Sequence, residues 1–266
     1  MTMPRGWLGI WLVCLGCQAL PPLEQPDKSS ADQQWEMGQA AMRQGRTGEA
    51  IHCYEQSLKT DVSLTRNHLS LAAAYLQEDD ADRACTCLAR YVEGNPDEPL
   101  IRARYAELLL RLRRFPEARV QFEQLVCEAQ VHANSADLDL IHCHSRLMEI
   151  AEESDDSYNE HLHRGISLYL LARKRAELPN PEGDLPAESL LCKAAAELTL
   201  AQLQRPEEAR PTWYLFQVWS RLGQRQPALC RLRQANDAAP FTFLSPAEQH
   251  ALHRAYEGYL EEVQRK

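Results

Sequence analysis

The sequence predicts an all-α protein, a solenoid of helix–turn–helix hairpins closed by a C-terminal capping helix. Three observations predict it. Ala50, Ala84 and Ala118 stand 34 and 34 residues apart, and Met37, Leu71, Tyr105 and Tyr54, Leu88, Phe122 keep the same interval. Ala, Leu, Arg, Glu and Gln dominate the 266 residues, with only 11 Gly and few strand-like runs of Val, Ile and Thr, which argues against a β-sandwich or a doubly wound sheet. Ser245-Pro246-Ala247-Glu248 begins a last helix with a capping hydroxyl, a first-turn proline and a glutamate three residues on.

The first segment, 1–16, reads as a signal peptide. Arg5 precedes an apolar run from Trp7 to Gly16 that spans only about 15 Å as a helix, half of a bilayer core, so it suits an export signal rather than a membrane anchor. Its end, Leu15-Gly16-Cys17, resembles the lipobox of bacterial lipoproteins, which implies diacylglycerol attachment at Cys17 and a new N-terminus there. Cys14 stands where that pattern usually has Leu, and a single positive side chain precedes the run. An ordinary cleaved signal or an uncleaved start are the competing readings. Residues 17–30, with Pro21, Pro22 and Pro26, read as a lipid-anchored flexible tether.

Residues 31–132 hold three regular units. Small residues at Gly38, Ala72 and Ala106 sit beside the large apolar columns, as they must where two antiparallel helices approach closely. Leu71 and Tyr75, and Ala84, Leu88 and Tyr91, lie on single helical stripes, and Asn95-Pro96 ends the second hairpin. This pattern resembles the tetratricopeptide repeat family, a 34-residue helix–turn–helix unit, which implies a right-handed superhelix. A fourth unit covers about 209–242, with Leu215, Trp219, Gly223, Ala228, Leu232, Ala235 and Pro240 in register and Phe216 where a small residue belongs.

Between them, 133–206 is helical but out of phase. Ala118 to Ala228 is 110 residues, eight more than three repeats. Apolar stripes predict helices near 136–152, 156–177 and 187–204, an odd number that forces one helix to be extended, displaced or capping. The segment 207–266 then holds the fourth unit and the capping helix.

No phosphate loop, dinucleotide fingerprint, nucleophile elbow or HExxH is present, so no catalytic residue and no cofactor is expected. His142, Cys143 and His144, with His161 and His163 beyond, look like metal ligands. Helical residues two apart point about 200° from each other, so they read as polar or half-buried histidines instead, and no metal is expected. The seven cysteines after Cys17 read mostly as small core residues. Free thiols argue for the cytoplasm rather than an oxidising compartment. Six arginines between Arg102 and Arg119 could form a docking strip, but with net charge −9 they read as solvated helix faces, and nucleic acid is not expected as a partner.

In tetratricopeptide repeat proteins the first helices line a concave groove for peptides or protein segments. The resemblance therefore implies groove residues Trp35, Gln39, Met42 and Arg43, then Arg66, Leu69, Ala73 and Leu76, then Ala103, Glu107, Leu110 and Arg111, and finally Trp213, Gln217, Ser220 and Arg221. Subfamilies that clamp a C-terminal carboxylate use a Lys and two Asn where this chain has Trp35, Gln39 and Ser70. The mixture suits an amphipathic helix or extended peptide. The expected function is thus a non-enzymatic scaffold or assembly adaptor, membrane-anchored at Cys17 and facing the periplasm. The alternatives are a cytoplasmic or inner-membrane-associated adaptor, and an enzyme with its site in 133–206.

Overall fold

A computed structural model describes residues 29–131, 139–177 and 186–264. The signal segment, Cys17 and most of the tether lie outside them. Twelve α-helices and no strand occur among the described residues: α1 (Ser30–Arg43), α2 (Thr47–Thr60), α3 (Thr65–Gln77), α4 (Ala81–Gly94), α5 (Pro99–Arg111), α6 (Phe115–Val131), α7 (Leu140–Glu153), α8 (Ser157–Ala176), α9 (Ala187–Gln204), α10 (Ala209–Arg221), α11 (Arg225–Ala238) and α12 (Pro246–Gln264). No helix among them is long and apolar enough to cross a membrane.

Each helix packs on the next in sequence, which is the arrangement of an α-solenoid. The small columns do what their spacing predicts. Ala50, Ala72, Ala84, Ala106 and Ala118 are buried, with Tyr54, Leu88 and Phe122 filling the space around them. Gly38 allows the closest approach: a Cβ there would lie 2.5 Å from the ring of Tyr54.

One turn recurs between paired helices. Gly45, Asp79, Arg113, Asp155 and Gly223 all have positive φ, and the residue after each donates its N–H to a carbonyl five residues back. This is the Schellman closure of a helix C-terminus, which satisfies carbonyls that have no partner inside the helix. The five turns are spaced 34, 34, 42 and 68 residues, so the eight extra residues all fall between Arg113 and Asp155 and the phase is regular again afterwards.

The core is not continuous. One apolar cluster runs from Ala41 to Ile150, across α1–α7, and a second from Tyr158 to Leu252, across α8–α12. The recurring turn pairs α7 with α8 and leaves α9 as the odd helix of the middle region; α7 completes the first cluster, while α8 packs along its length on both α7 and α9 and opens the second. The apolar interior is therefore in two blocks, α1–α7 and α8–α12, with the α7–α8 hairpin spanning the boundary between them. The predicted helix start at Ser245 has both capping bonds: the Glu248 N–H donates to Ser245 Oγ at 3.1 Å, and the Ser245 N–H donates to Glu248 Oε2 at 2.8 Å.

Polar groups meet at the boundary between the blocks. At the α7–α8 seam, His144 and His163 bury their rings with Nδ1 atoms 3.0 Å apart, Arg164 donates to Glu152 at 2.8 Å, and Arg119 of α6 reaches Asp156. The capping helix α12 also returns to α6. It is held at its start by Arg210, whose Nε and Nη2 donate to Glu248 Oε2 at 3.1 and 2.9 Å, while the Tyr214 hydroxyl donates to Oε1.

Two sequence expectations are corrected here. Of the cysteines, only Cys85, Cys87 and Cys143 are buried, because Cys192 and Cys230 fall on outward faces of α9 and α11 and Cys53 and Cys127 on edges; all seven are unpaired. Of the arginines of 102–119, Arg102 departs from the expectation because it is buried, while Arg104, Arg111 and Arg113 are exposed, Arg113 and Arg114 form surface pairs with Glu153 and Glu117, and Arg119 is half-buried against Asp156.

Candidate functional site

The first helices of the first block, α1, α3, α5 and α7, stand side by side and share polar contacts. Between α1 and α3, Trp35 Nε1 and Gln39 Nε2 both donate to Ser70 Oγ, at 3.1 and 3.3 Å. Arg66 pairs with Asp32 and lays its guanidinium 4.5 Å from the centre of the Trp35 ring. A cation over an indole face fixes both groups. Between α5 and α7, Glu107 Oε1 lies 2.8 Å from His142 Nε2 and accepts from Arg146 Nε at 2.9 Å.

Between these two stitched ends the face is apolar. Leu69 and Ala103 are half-buried against the core, Ala73 and Leu76 are exposed on α3, and Leu110 is buried in α5. Leu76 leaves 43% of its surface in water. Met42 packs partly on the core, while Arg43 and Arg111, the last residues of α1 and α5, are exposed. The result is an apolar strip with polar ends and two guanidinium groups along one rim. Such a strip can receive the apolar side of an amphipathic segment and pair acidic groups flanking it.

The late set lies in the other block. Trp213 is buried in the second core and stacks on Phe216 with ring centres 5.4 Å apart. Gln217 accepts from the Tyr169 hydroxyl at 2.8 Å, Arg221 lies over the same ring, and Ser220 is exposed. These residues thus belong with α8, not with Trp35 and Glu107. Sequence reasoning missed Asp32 and Arg146, whose roles depend on partners 34 and 39 residues away.

It also missed the histidine pair. Burial, with Arg210 adding, pushes His144 down to about 3, and His163 is pushed well below its ordinary value by burial, then by His144, Arg210 and Arg119. Both rings are neutral at pH 7, so one Nδ1–H donates to the other Nδ1. Among the described residues no group of three or more His, Cys, Asp or Glu could hold a metal ion.

Residues 36–84 and 69–130 match the tetratricopeptide repeat family. Over that stretch, about a third of the chain, the sequence is similar to a tetratricopeptide repeat array. Such repeats mediate protein–protein interactions. No curated protein matches the sequence. Among solved structures, MamA residues 41 to the end from Desulfovibrio magneticus RS-1 is similar at 14% identity and TM-score 0.34, covering 80% of this chain and 97% of that one. YrrB, described as a tetratricopeptide repeat protein with an unusual peptide-binding site, is similar at 15% identity and TM-score 0.36, covering 85% and 93%. PilW, described as a type IV pilus biogenesis factor, is similar at 18% identity and TM-score 0.36, covering 85% and 99%.

Proposed function

We propose that this chain is a non-enzymatic assembly adaptor whose concave face, formed by α1, α3, α5 and α7, holds an amphipathic protein segment. The carrying observation is the apolar strip of half-buried Leu69 and exposed Ala73 and Leu76, bounded by the Trp35–Ser70 and Glu107–Arg146 contacts. In the same reading, Cys17 carries a diacylglycerol anchor that holds the adaptor in a bacterial cell envelope, facing the periplasm. Leu15-Gly16-Cys17 supports that location. The seven unpaired cysteines favour the second reading, a cytoplasmic adaptor with an uncleaved N-terminus.

Two experiments test the proposal. Replacing Ala73 and Leu76, the exposed members of the strip, together by Glu places charges on it, and is expected to weaken binding of a partner identified with the wild-type chain by about tenfold or more with little change in thermal stability. Unchanged affinity would remove the groove from the reading. The mass of the N-terminal peptide from host membranes tests the anchor: a diacylated peptide beginning at Cys17 supports it, and an intact Met1 peptide in the soluble fraction selects the cytoplasmic alternative.

A further inference from the structure

The second block carries an exposed apolar projection at one end of its helix layer and an unfilled apolar cavity at the other. The projection is the connection between α11 and α12. Thr242 is extended, with φ −134° and ψ 162°, so Phe241 and Phe243 point to one side and Thr242 and Leu244 to the other. The inner pair pins the connection. Leu244 is fully buried, and Thr242 Oγ1 donates to the Ala238 carbonyl at 3.3 Å and accepts from the Ala209 N–H at 3.2 Å. The outer pair is left in water, Phe241 86% and Phe243 67% exposed. Two phenyl groups held outward on a fixed backbone lose little freedom when a partner covers them, so their burial is available as affinity.

The cavity, of about 560 Å³, opens where α8 and α10 end and α9 begins. Ala172, Ala176 and Ala187 leave it unfilled, and Leu191 and Leu222 complete its apolar wall. A cavity of about 150 Å³ accepts a benzene ring, so this one has room for both phenyl groups. Arg221 and Glu188 also line it, and both are exposed. Arg221 touches the Tyr169 hydroxyl and ring and keeps its two Nη groups free. The projection lies at the start of α10 and the cavity at its end, 13 residues and about 20 Å away. A chain therefore cannot seat its own phenyl groups in its own cavity.

We propose that copies of this chain associate head to tail, with Phe241 and Phe243 of one copy seated in the α8–α9–α10 cavity of the next. Charge favours a second copy as the occupant. Exposed Arg205 and Glu207, in the connection before α10, flank the projection, and Arg221 and Glu188 flank the cavity, so each surface offers both signs to its opposite across the contact. A bilayer surface offers no such pairing. Because projection and cavity are different surfaces, the contact is heterologous and leaves both outer ends open, so the assembly grows instead of stopping at two copies. The contact lies wholly in the second block and leaves the groove of α1, α3 and α5 uncovered. It thus goes beyond the adaptor reading, since an array of copies presents that groove repeatedly to a multivalent partner.

The test measures the mass of the full chain in reducing buffer by sedimentation velocity, across its soluble concentration range. The wild-type average mass is expected to keep rising with concentration beyond two copies. Two variants at exposed positions report the two halves of the contact: Phe241→Ser with Phe243→Ser removes the projection, and Ala176→Glu puts a charge in the cavity. Each alone is expected to weaken association by about tenfold or more with helical signal and melting unchanged. Mixed in equal amounts they regain one contact and stop at two copies, because one keeps the cavity and the other the projection. A monomer at every concentration, a wild-type mass that stops at two, variants that associate as wild type does, or a mixture that stays monomeric overturns the proposal. Vesicles of phosphatidylethanolamine and phosphatidylglycerol check the other occupant. Vesicle binding that is lost with the phenyl pair, in a chain that does not self-associate, assigns the pair to a bilayer surface and also overturns the proposal.

Discussion

Gly165 is where the second block depends most on the absence of a side chain. It sits on α8 facing α9, and a Cβ there would lie 2.7 Å from Leu198 Cγ, 3.0 Å from its Cδ2 and 3.2 Å from its backbone nitrogen. Carbon atoms in good contact are about 3.5–4.0 Å apart. Leu198 is fully buried, so it cannot swing into free space, and the backbone nitrogen moves only if α9 moves. Overpacking of this kind costs about 1–3 kcal/mol, and the rigid neighbour places Gly165→Ala in the upper half of that range. Alanine returns about 0.5–1 kcal/mol through helix propensity, leaving a net loss of about 1–2 kcal/mol. Gly258 is the internal control. It lies inside α12 with nothing within 4 Å of its added Cβ, so Gly258→Ala keeps only the propensity gain. The two variants are thus expected to differ by about 2–3 kcal/mol. Urea titration followed by far-UV circular dichroism reads this as midpoints moving in opposite directions at unchanged slope. Gly165→Ala as stable as wild type would show that α8 and α9 are not packed as described.

Three further outcomes follow from the same structure. His144 and His163 are held neutral when folded but protonate near pH 6.5 when unfolded, so the unfolded chain binds more protons below that pH. Stability is therefore complete above about pH 6.5 and falls by up to about 1.4 kcal/mol per pH unit for each ring as acid is added; urea midpoints between neutrality and mild acid measure this, and replacing both by Gln removes that part of the slope. Arg210→Ala leaves the buried Glu248 without its cation and is expected to cost about 3–5 kcal/mol, read as a lowered melting temperature. Asp155→Gly relieves a left-handed backbone at an exposed turn and is expected to stabilise by about 1 kcal/mol, seen as a higher urea midpoint.

How much of this was legible depends on how far each signal reaches along the chain. The alanine columns and the capping sequence at Ser245 are local, so hairpins and the last helix could be placed from residues alone. The recurring turn was hidden because Asp79, Arg113 and Asp155 occupy positions where glycine would have announced it. The excess of eight residues was countable, but its place before Asp155 was not, since helix stripes near 136–177 fit more than one pairing. The groove was readable one helix at a time. Its cohesion was not, because the Trp35–Ser70 and Glu107–Arg146 contacts join helices of different hairpins. His144 and His163 looked like separate half-buried residues for the same reason: nothing local shows that two rings nineteen positions apart meet.

The seam between α7 and α8 also decides how the molecule yields. Tension applied at the two ends of the chain must cross it, and there imidazoles and ion pairs lie between two separate oily interiors. Such a plane resists poorly once the rings take up protons. Because burial holds both rings neutral far into acid, they take up protons only where the seam has already opened, so opening and proton uptake come together.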